Sequence, residues 1–430
     1  MDAILYQDYV NILKEELVPA MGCTEPIAIA YAAAVARQTL GALAERMEVE
    51  ASGNIIKNVK SVFVPNTGGL RGIPAAAAAG MAAGNPALEL EVLSQIEEAE
   101  QSAIRQYLEE TPIAVKLATS PFIFDITIRA WAGEESALVR IVNYHTNIVR
   151  IEKNGRVLKE VEAQAAAEEG LTDKSVLSVE GILEFARECR LSDVEETLGR
   201  QVRYNTAIAE EGLRGDYGAN IGSVLLAAYG DDVKIRAKAM AAAGSDARMN
   251  GCGLPVVIVS GSGNQGLTAS LPVVEFAKEL GVDRETMLRA VLVSDLVTIH
   301  LKAEIGRLSA YCGAVSAGCG SGAGIAWLYG RHKDPQALLK DVSHTIVNAL
   351  AVDSGIVCDG AKASCAAKIA SAVDAGILGF TMYQHGQQFR GGDGIITKGV
   401  EETIRNIGLL ATQGMRETDR EILDIMTTRC

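Results

Sequence analysis

Eight cysteines punctuate the chain: Cys23, Cys189, Cys252, Cys312, Cys319, Cys358, Cys365 and Cys430. Four of them fall between residues 312 and 365, in or beside loops of small residues, "YCGAVSAGCGSGAG" and "GIVCDGAKASC". Thiolates are soft ligands that suit zinc, copper(I) and iron–sulfur clusters. Neither the C-x2-C spacing of a zinc ribbon nor a C-x2-C-x2-C ferredoxin run occurs. Thiolates from separate loops can still converge in a fold, so cluster or zinc ligation stands beside the plainer reading of small buried hydrophobes. On an unbroken helix, cysteines seven residues apart would lie about 10 Å from each other on one face. That suits neither a disulfide nor shared ligation, so at least one member of each pair (312 with 319, 358 with 365) belongs on a loop.

Other residues have chemical reach. In "MGCTEP", Cys23 stands just before a helix whose first turn holds Pro26. Helix N-terminal amides lower a thiol pKa, which would make Cys23 a base or nucleophile; the alternative is a cap supplied by Cys23 or Thr24. "GSGNQG", Gly261–Gly266, follows the apolar run "LPVVIVS". Its amides could cradle a carboxylate or phosphate, or it is only a tight turn; it matches neither the P-loop nor the dinucleotide fingerprint. Arg248 in "SDAR" and Arg307 would suit a carboxylate, and His145 in "HTN" and His300, near Lys302, could move protons. Each of these also reads as a satisfied hydrogen bond or a solvated face. There is no G-x-S-x-G elbow and no H-E-x-x-H pair.

These side chains need elements to hold them. The chain has 430 residues, enough for two or more domains with sizeable cores. Glycine is abundant (43 residues) and aromatics are scarce at 5%, which favours close-packed helices with glycine-rich loops. The formal charge of -14 disfavours nucleic acid as a partner. The acidic, amphipathic N-terminus lacks the basic start of a signal peptide. The runs "PIAIAYAAAVA" and "IPAAAAAGMAAG" fall short of the ~20 residues that span a bilayer. The expectation is a cytoplasmic protein without a membrane segment, where reducing conditions disfavour disulfides.

Residues 5–18 predict a helix with Tyr9, Ile12, Leu13 and Leu17 on one face, and a second helix runs from Pro26 to near Leu43. From residue 47 the pattern turns to strands: "MEVEAS", "IAVKLA", "FIFDITIRAW", "ALVRIVNY" and "NIVRIEKNGRVLKE", with "AGEE" and Asn154–Gly155 as hairpin turns. "GIPAAAAAGMAAG" between them reads as a tightly packed helix. A polar linker follows near 166–175, and beyond it helices alternate with glycine-rich loops. The fold class is α+β: a helical catalytic domain over 176–430, an inserted α/β module with an antiparallel sheet over 47–165, and N-terminal helices, 1–46, packing on the catalytic domain.

The motifs "VPAMGCTEPIAIAYAAA", "SDARMNG", "SGSGNQGLTASLPV", "RLSAYCGA", "GIVCDGAKASCAAK" and "ETDREILDIM" together resemble the iron–sulfur L-cysteine desulfidase family over essentially the whole chain. A more distant similarity runs to iron–sulfur L-serine dehydratases, whose last two cluster cysteines are more widely spaced. The resemblance implies a [4Fe–4S] cluster held by Cys312, Cys358 and Cys365, with one iron open to substrate. It implies β-elimination of L-cysteine to pyruvate, ammonia and sulfide, with that iron as Lewis acid and Cys23 as base near the substrate. Thr24, Glu25, Arg248, Gly263, Asn264 and Gln265 would bind the substrate. Cys319 is a second-rank ligand. Cys430 could cap the open iron, as a C-terminal cysteine does in serine dehydratases, though "TTRC" lacks their surrounding motif.

The alternatives are a serine dehydratase-type deaminase, a pyridoxal-phosphate lyase with "GSGNQG" as phosphate cradle, and a non-catalytic amino-acid sensor or metal store. The pyridoxal reading needs a Schiff-base lysine in a recognisable setting, and the sequence offers none. A homodimer is the default assembly.

Overall fold

The computed structural model describes residues 1–163 and 171–428. Residue 165, where the α/β module was expected to end, the first half of the expected linker, and Cys430 lie outside the described residues.

The period-2 segments form a six-stranded sheet. Its strands are β2 (Arg46–Ala51), β3 (Ile113–Leu117), β4 (Asp125–Ala132), β5 (Glu135–Val142), β6 (Ile148–Lys153) and β7 (Arg156–Glu160), in the order β3-β2-β4-β5-β6-β7. The sheet is mixed rather than purely antiparallel, because β2 and β3 run parallel. A parallel pair needs a long crossover. Here it carries α3 (Gly53–Val59), α4 (Gly72–Ala83) and α5 (Glu98–Glu110). The Asn154–Gly155 turn has positive φ at both residues, 51° and 76°, as a tight hairpin between right-twisted strands requires. Val49, Ile128, Val139 and Ile141 are buried on one face, while the alternate positions carry ion pairs such as Arg129–Glu50 at 2.8 Å.

The two helices within residues 1–46 pack on different partners. Helix α1 (Ala3–Glu16) packs on the helical part, with Tyr6 and Tyr9 against Phe185 of α6 (Val179–Glu188). Helix α2 (Thr24–Leu40) instead covers the apolar face of the sheet together with α4. Its alanine-rich surface allows a very close approach: a Cβ on Gly80 of α4 would lie 2.0 Å from the Ala30 carbonyl oxygen. Gly80→Ala is therefore expected to destabilise the protein by about 1–3 kcal/mol through overpacking. A lowered denaturant midpoint with an unchanged slope would show it.

The remaining helices are α7 (Glu195–Arg214), α8 (Ile221–Tyr229), α9 (Val233–Met249), α10 (Gly263–Glu279), α11 (Arg284–Ile305), α12 (Gly313–Gly330), α13 (Pro335–Val352), α14 (Cys365–Gln384), α15 (Val400–Leu409) and α16 (Arg416–Thr428). Helix α12 is apolar on all sides and is the buried axis of this part, ringed by α10, α11, α13 and α14. Helix α14 has the length and apolarity of a membrane span, which the sequence reading did not find; half of that stretch is buried inside the protein.

Two short strands tie the ends of the architecture together. Pro19–Met21 (β1) pairs antiparallel with Pro255–Val257 (β8), which sets "GCTEP" beside "GSGNQG". Helix α16 lies on α3, where Leu423 meets Gly53 and Asp419 pairs with Lys57.

Candidate functional site

Cys312 is the residue before α12, and Cys358 lies in the loop leading to α14, whose first residue is Cys365. An isolated bridge between Tyr311 and Val357 joins the first two segments. The Cys312 amide donates to Ile356 O at 3.1 Å and the Cys358 amide to Ala310 O at 2.6 Å. The two thiols thereby meet in a hydrogen bond that pushes Cys312 up and, against burial and with help from Lys57, brings Cys358 down. The chain then turns at Asp359–Gly360, where Gly360 has φ +93° and abuts the Lys57 carbonyl. Lys362 and Lys368 both pair with Asp359. The turn returns Cys365 to the other thiols, with its Sγ 3.7 Å from Gly360 O.

Cys23 faces them. With Val62 and Met249 it forms a small cluster against which Ala361 and Cys365 pack. Neither expected cap is made, since no side chain caps α2. Instead Cys23 Sγ donates to Glu25 Oε2 at 3.0 Å, the single Thr24 hydroxyl proton is shared between the same oxygen at 3.1 Å and Gly261 O at 2.9 Å, and Asn58 Nδ2 donates to Oε1 at 3.0 Å. The electrostatics of Cys23 reverse the sequence expectation. Burial and the Glu25 charge push its thiol well up, so it rests protonated. Burial would also raise Glu25, but His145, the Cys23 hydrogen bond and Arg248 outweigh it and hold the carboxyl below its ordinary value.

The glycine loop closes another side. A Cβ on Gly263 would stand 2.4 Å from Arg248 Nε, and one on Gly313 would stand 2.9 Å from the Gln265 amide carbon. The loop therefore touches both Arg248 and the residue after Cys312. The N-termini of α2, α10, α12 and α14 all open here, joined by buried Lys57 and Lys302. In a chain of net charge -14 this is a local positive field. Lys302 is pushed down to about 8 by burial, against the opposing pull of Cys358 and Cys312.

Polar atoms without partners gather at the same place. Asn58 Oδ1, His145 Nε2, Arg248 Nε, Asn264 Oδ1 and Gln265 Oε1 are buried and make no hydrogen bond. Native interiors leave few such atoms, and each calls for a partner such as water or a ligand.

All ten site residues expected from the sequence border this region. Cys319 does not: it lies inside α12, 2% exposed, and burial pushes its thiol up. His300 is also elsewhere, with Nε2 2.7 Å from Glu401. The sequence reading missed Lys57 and Asn58. The available signal was Asn58 at the i+3 place between Ile55 and Val59, a polar side chain on an apolar helix face.

His145 comes from the β5–β6 loop, and burial pushes its imidazole down to about 4 while Glu25 opposes and Arg307 and Arg248 reinforce the shift. Between the unfolded value near 6.5 and about 4, the unfolded chain takes up a proton that the folded ring refuses. Stability should therefore fall as pH drops through that window, by up to about 3 kcal/mol from this group. Denaturant midpoints at several pH values would show a shallower dependence in His145→Gln.

Comparison with known proteins places the chain. A family model described as the serine dehydratase alpha chain matches residues 87–424, which include Arg248, the glycine loop and the three thiols but not Cys23 or Glu25. The chain is 60% identical to a UPF0597 protein of Desulfitobacterium hafniense, over 99% of this chain and 97% of that protein. It is 52% identical to a UPF0597 protein of Lachnoclostridium phytofermentans, over 98% and 100% of the two chains. A UPF0597 protein of Finegoldia magna is 46% identical, over 98% and 99%. With a match across most of its length that takes in the thiol loops and the glycine loop, the chain belongs to the serine dehydratase alpha-chain family.

Proposed function

We propose that this protein is an iron–sulfur lyase that eliminates the β-substituent of L-cysteine, giving sulfide and, after hydrolysis of the aminoacrylate, pyruvate and ammonia. One observation carries the reading: three thiols gather opposite a Cys23–Glu25 pair and a set of buried polar atoms that lack partners.

The residues fit a [4Fe–4S] cluster by the chemistry of the donor set. Among the described residues, no three His, Cys, Asp or Glu side chains converge as ligands of a single ion. Cys312, Cys358 and Cys365 are instead soft donors on separate segments, partly accessible, with Lys57, Lys302, Lys362 and Lys368 nearby to balance thiolate charge. When bound, such a cluster with one iron free of protein ligands supplies a Lewis acid for the departing sulfur.

The chain's own groups do the rest. The Arg248 guanidinium and the amides opening α10 bind the substrate carboxylate. Asn264 and Gln265 orient its remaining polar atoms. Glu25 draws the proton from Cys23 as the Cys23 sulfur takes the Cα proton, which leaves the pair with a protonated thiol and a protonated carboxyl, one proton more than at rest. The N-termini of four helices favour an anionic substrate over a neutral amine.

Dehydration of L-serine by the same residues is the second reading, favoured by the family description. Anaerobic reconstitution with iron and sulfide, followed by assays of sulfide and pyruvate, separates the two. Faster pyruvate release from L-cysteine, with equimolar sulfide, supports the first; faster release from L-serine supports the second. A colourless protein that binds neither iron nor substrate overturns both.

A further inference from the structure

We propose that His145 carries the proton collected at Glu25 out to solvent, through a cavity on the far side of the glycine loop; the inference rests on the β-elimination reading above. Each turnover leaves a proton on the Cys23–Glu25 pair, and the pair must lose it before the next. Glu25 is enclosed. Its oxygens take hydrogen bonds from Cys23, Thr24 and Asn58. The Thr24 hydroxyl is anchored on Gly261 O, and a carboxamide such as Asn58 has no proton to relay. Arg248 is a permanent cation and accepts nothing.

His145 is a group nearby that can accept: its ring packs against Gly261, whose carbonyl takes the Thr24 hydroxyl beside the Glu25 carboxylate. It stands on a loop that begins at Asn143, with φ +68°, just beyond a register shift at Arg140/Ile141. Such irregularities re-aim side chains beside functional sites. The ring lies edge-on to Phe124, with centroids 4.8 Å apart, and against Gly261, where a Cβ would meet its Cε1 at 3.0 Å. It is 6% exposed, and Nε2 has no hydrogen-bond partner. The charged groups around it are Glu25 from α2, Arg248 from α9, Arg307 from the segment after α11, and Glu16 from the end of α1.

The same ring lines a cavity of about 320 Å³ together with Glu15, Glu16, Glu89, Glu91 and Arg307, which pairs with Glu16. Glu89 is exposed, so the cavity reaches the surface. Its backbone is also unusual for a non-glycine residue, with φ +46°. His145 thus stands between the Glu25 side of the glycine loop and an acidic chamber that reaches the surface. The step balances without any co-reactant. The Glu25 carboxylic proton moves to the imidazole, and the imidazolium releases a proton to water in the chamber. Both groups return to their starting charge. The low basicity of the buried ring keeps it neutral between turnovers and makes the second transfer downhill.

The test uses the full chain with its cluster loaded. His145→Ala and His145→Gln should each lower kcat about 100-fold with the substrate KM unchanged. Free imidazole, small enough for the cavity, should restore at least a tenth of the lost rate to His145→Ala and leave His145→Gln unchanged, since glutamine fills the space. Nitrogen NMR of the five histidines, assigned by the resonance missing in His145→Gln, should show a neutral His145 ring at pH 7. Wild-type kcat in either variant, a loss that imidazole does not repair in His145→Ala, or a charged His145 at pH 7 overturns this inference alone. A cluster-loaded wild type that acts on neither L-cysteine nor L-serine overturns the functional reading, and the relay with it.

Discussion

Cys358→Ala, reconstituted anaerobically with iron and sulfide, is expected to stay colourless and to release no sulfide from L-cysteine. Cys312→Ala and Cys365→Ala should behave alike. The reason for choosing Cys358 first is electrostatic. Its thiolate is held by the Cys312 hydrogen bond and by Lys57, and it is the first of the charges that oppose the burial of Lys302. Removing it takes away a ligand and leaves two buried ammonium groups less compensated, so both cluster affinity and the order of the loop should suffer. Cys319→Ala is the control. That thiol is enclosed in α12, and its loss should cost no more than a few kcal/mol of stability while colour and turnover remain. Iron per protein and visible absorption give the answer before any assay. Full colour in all three single variants would remove the thiols from the site.

Glu25→Gln should produce the second large effect: a fall in kcat of about 10²–10⁴-fold with the cluster retained. Glutamine preserves the size of the side chain and can still accept from Asn58 through its one oxygen, while the Thr24 hydroxyl keeps Gly261 O as its acceptor, so folding is not the issue. What it loses is the ability to take a proton from Cys23 across the 3.0 Å hydrogen bond. Burial raises the Glu25 carboxyl, and His145, the Cys23 hydrogen bond and Arg248 together hold it below its ordinary value. The acid limb of the kcat profile that belongs to Glu25 should disappear with the substitution. A variant with normal kcat would remove Glu25 from the proton path and with it the special status of Cys23.

Much of this was legible in the residues, for identifiable reasons. Alternating strands announce themselves, and β4 to β7 lie where their patterns place them. The parallel pairing of β2 with β3 is hidden, because the crossover from Ala51 to Ile113 separates the partners. The β1–β8 ribbon is three residues on each side, too short for any periodic signal, yet it sets the two glycine-containing loops together. Of the cysteines crowded between 312 and 365, the fold brings Cys312, Cys358 and Cys365 to one region. Spacing could not tell Cys319 from its neighbours; a helix with glycine at 318, 320, 322 and 324, buried on every side, does so. Cys23 shows the clearest limit. Position at a helix start suggested a thiolate, but a helix end contributes only about 0.3–1 kcal/mol when exposed. Full burial beside a carboxylate two residues on outweighs that. His145 was marked as chemically able, and nothing in "HTN" could say what it faces.

The pairing of chain ends also sets a timetable for synthesis. Thr24 meets Gly261 across 237 residues, and Lys57 meets Cys358 across 301. At about 5–20 residues per second, a ribosome needs roughly 15–60 s to make the second interval. During that time α2 can already lie on its sheet, while "GCTEP" has no loop to pair with and Cys312, Cys358 and Cys365 do not yet exist. A nascent chain can therefore present the complete pocket only after Cys365 has been made. On the proposed cluster reading, metal loading would come after that point, and shortened products that end before Cys365 should remain without colour.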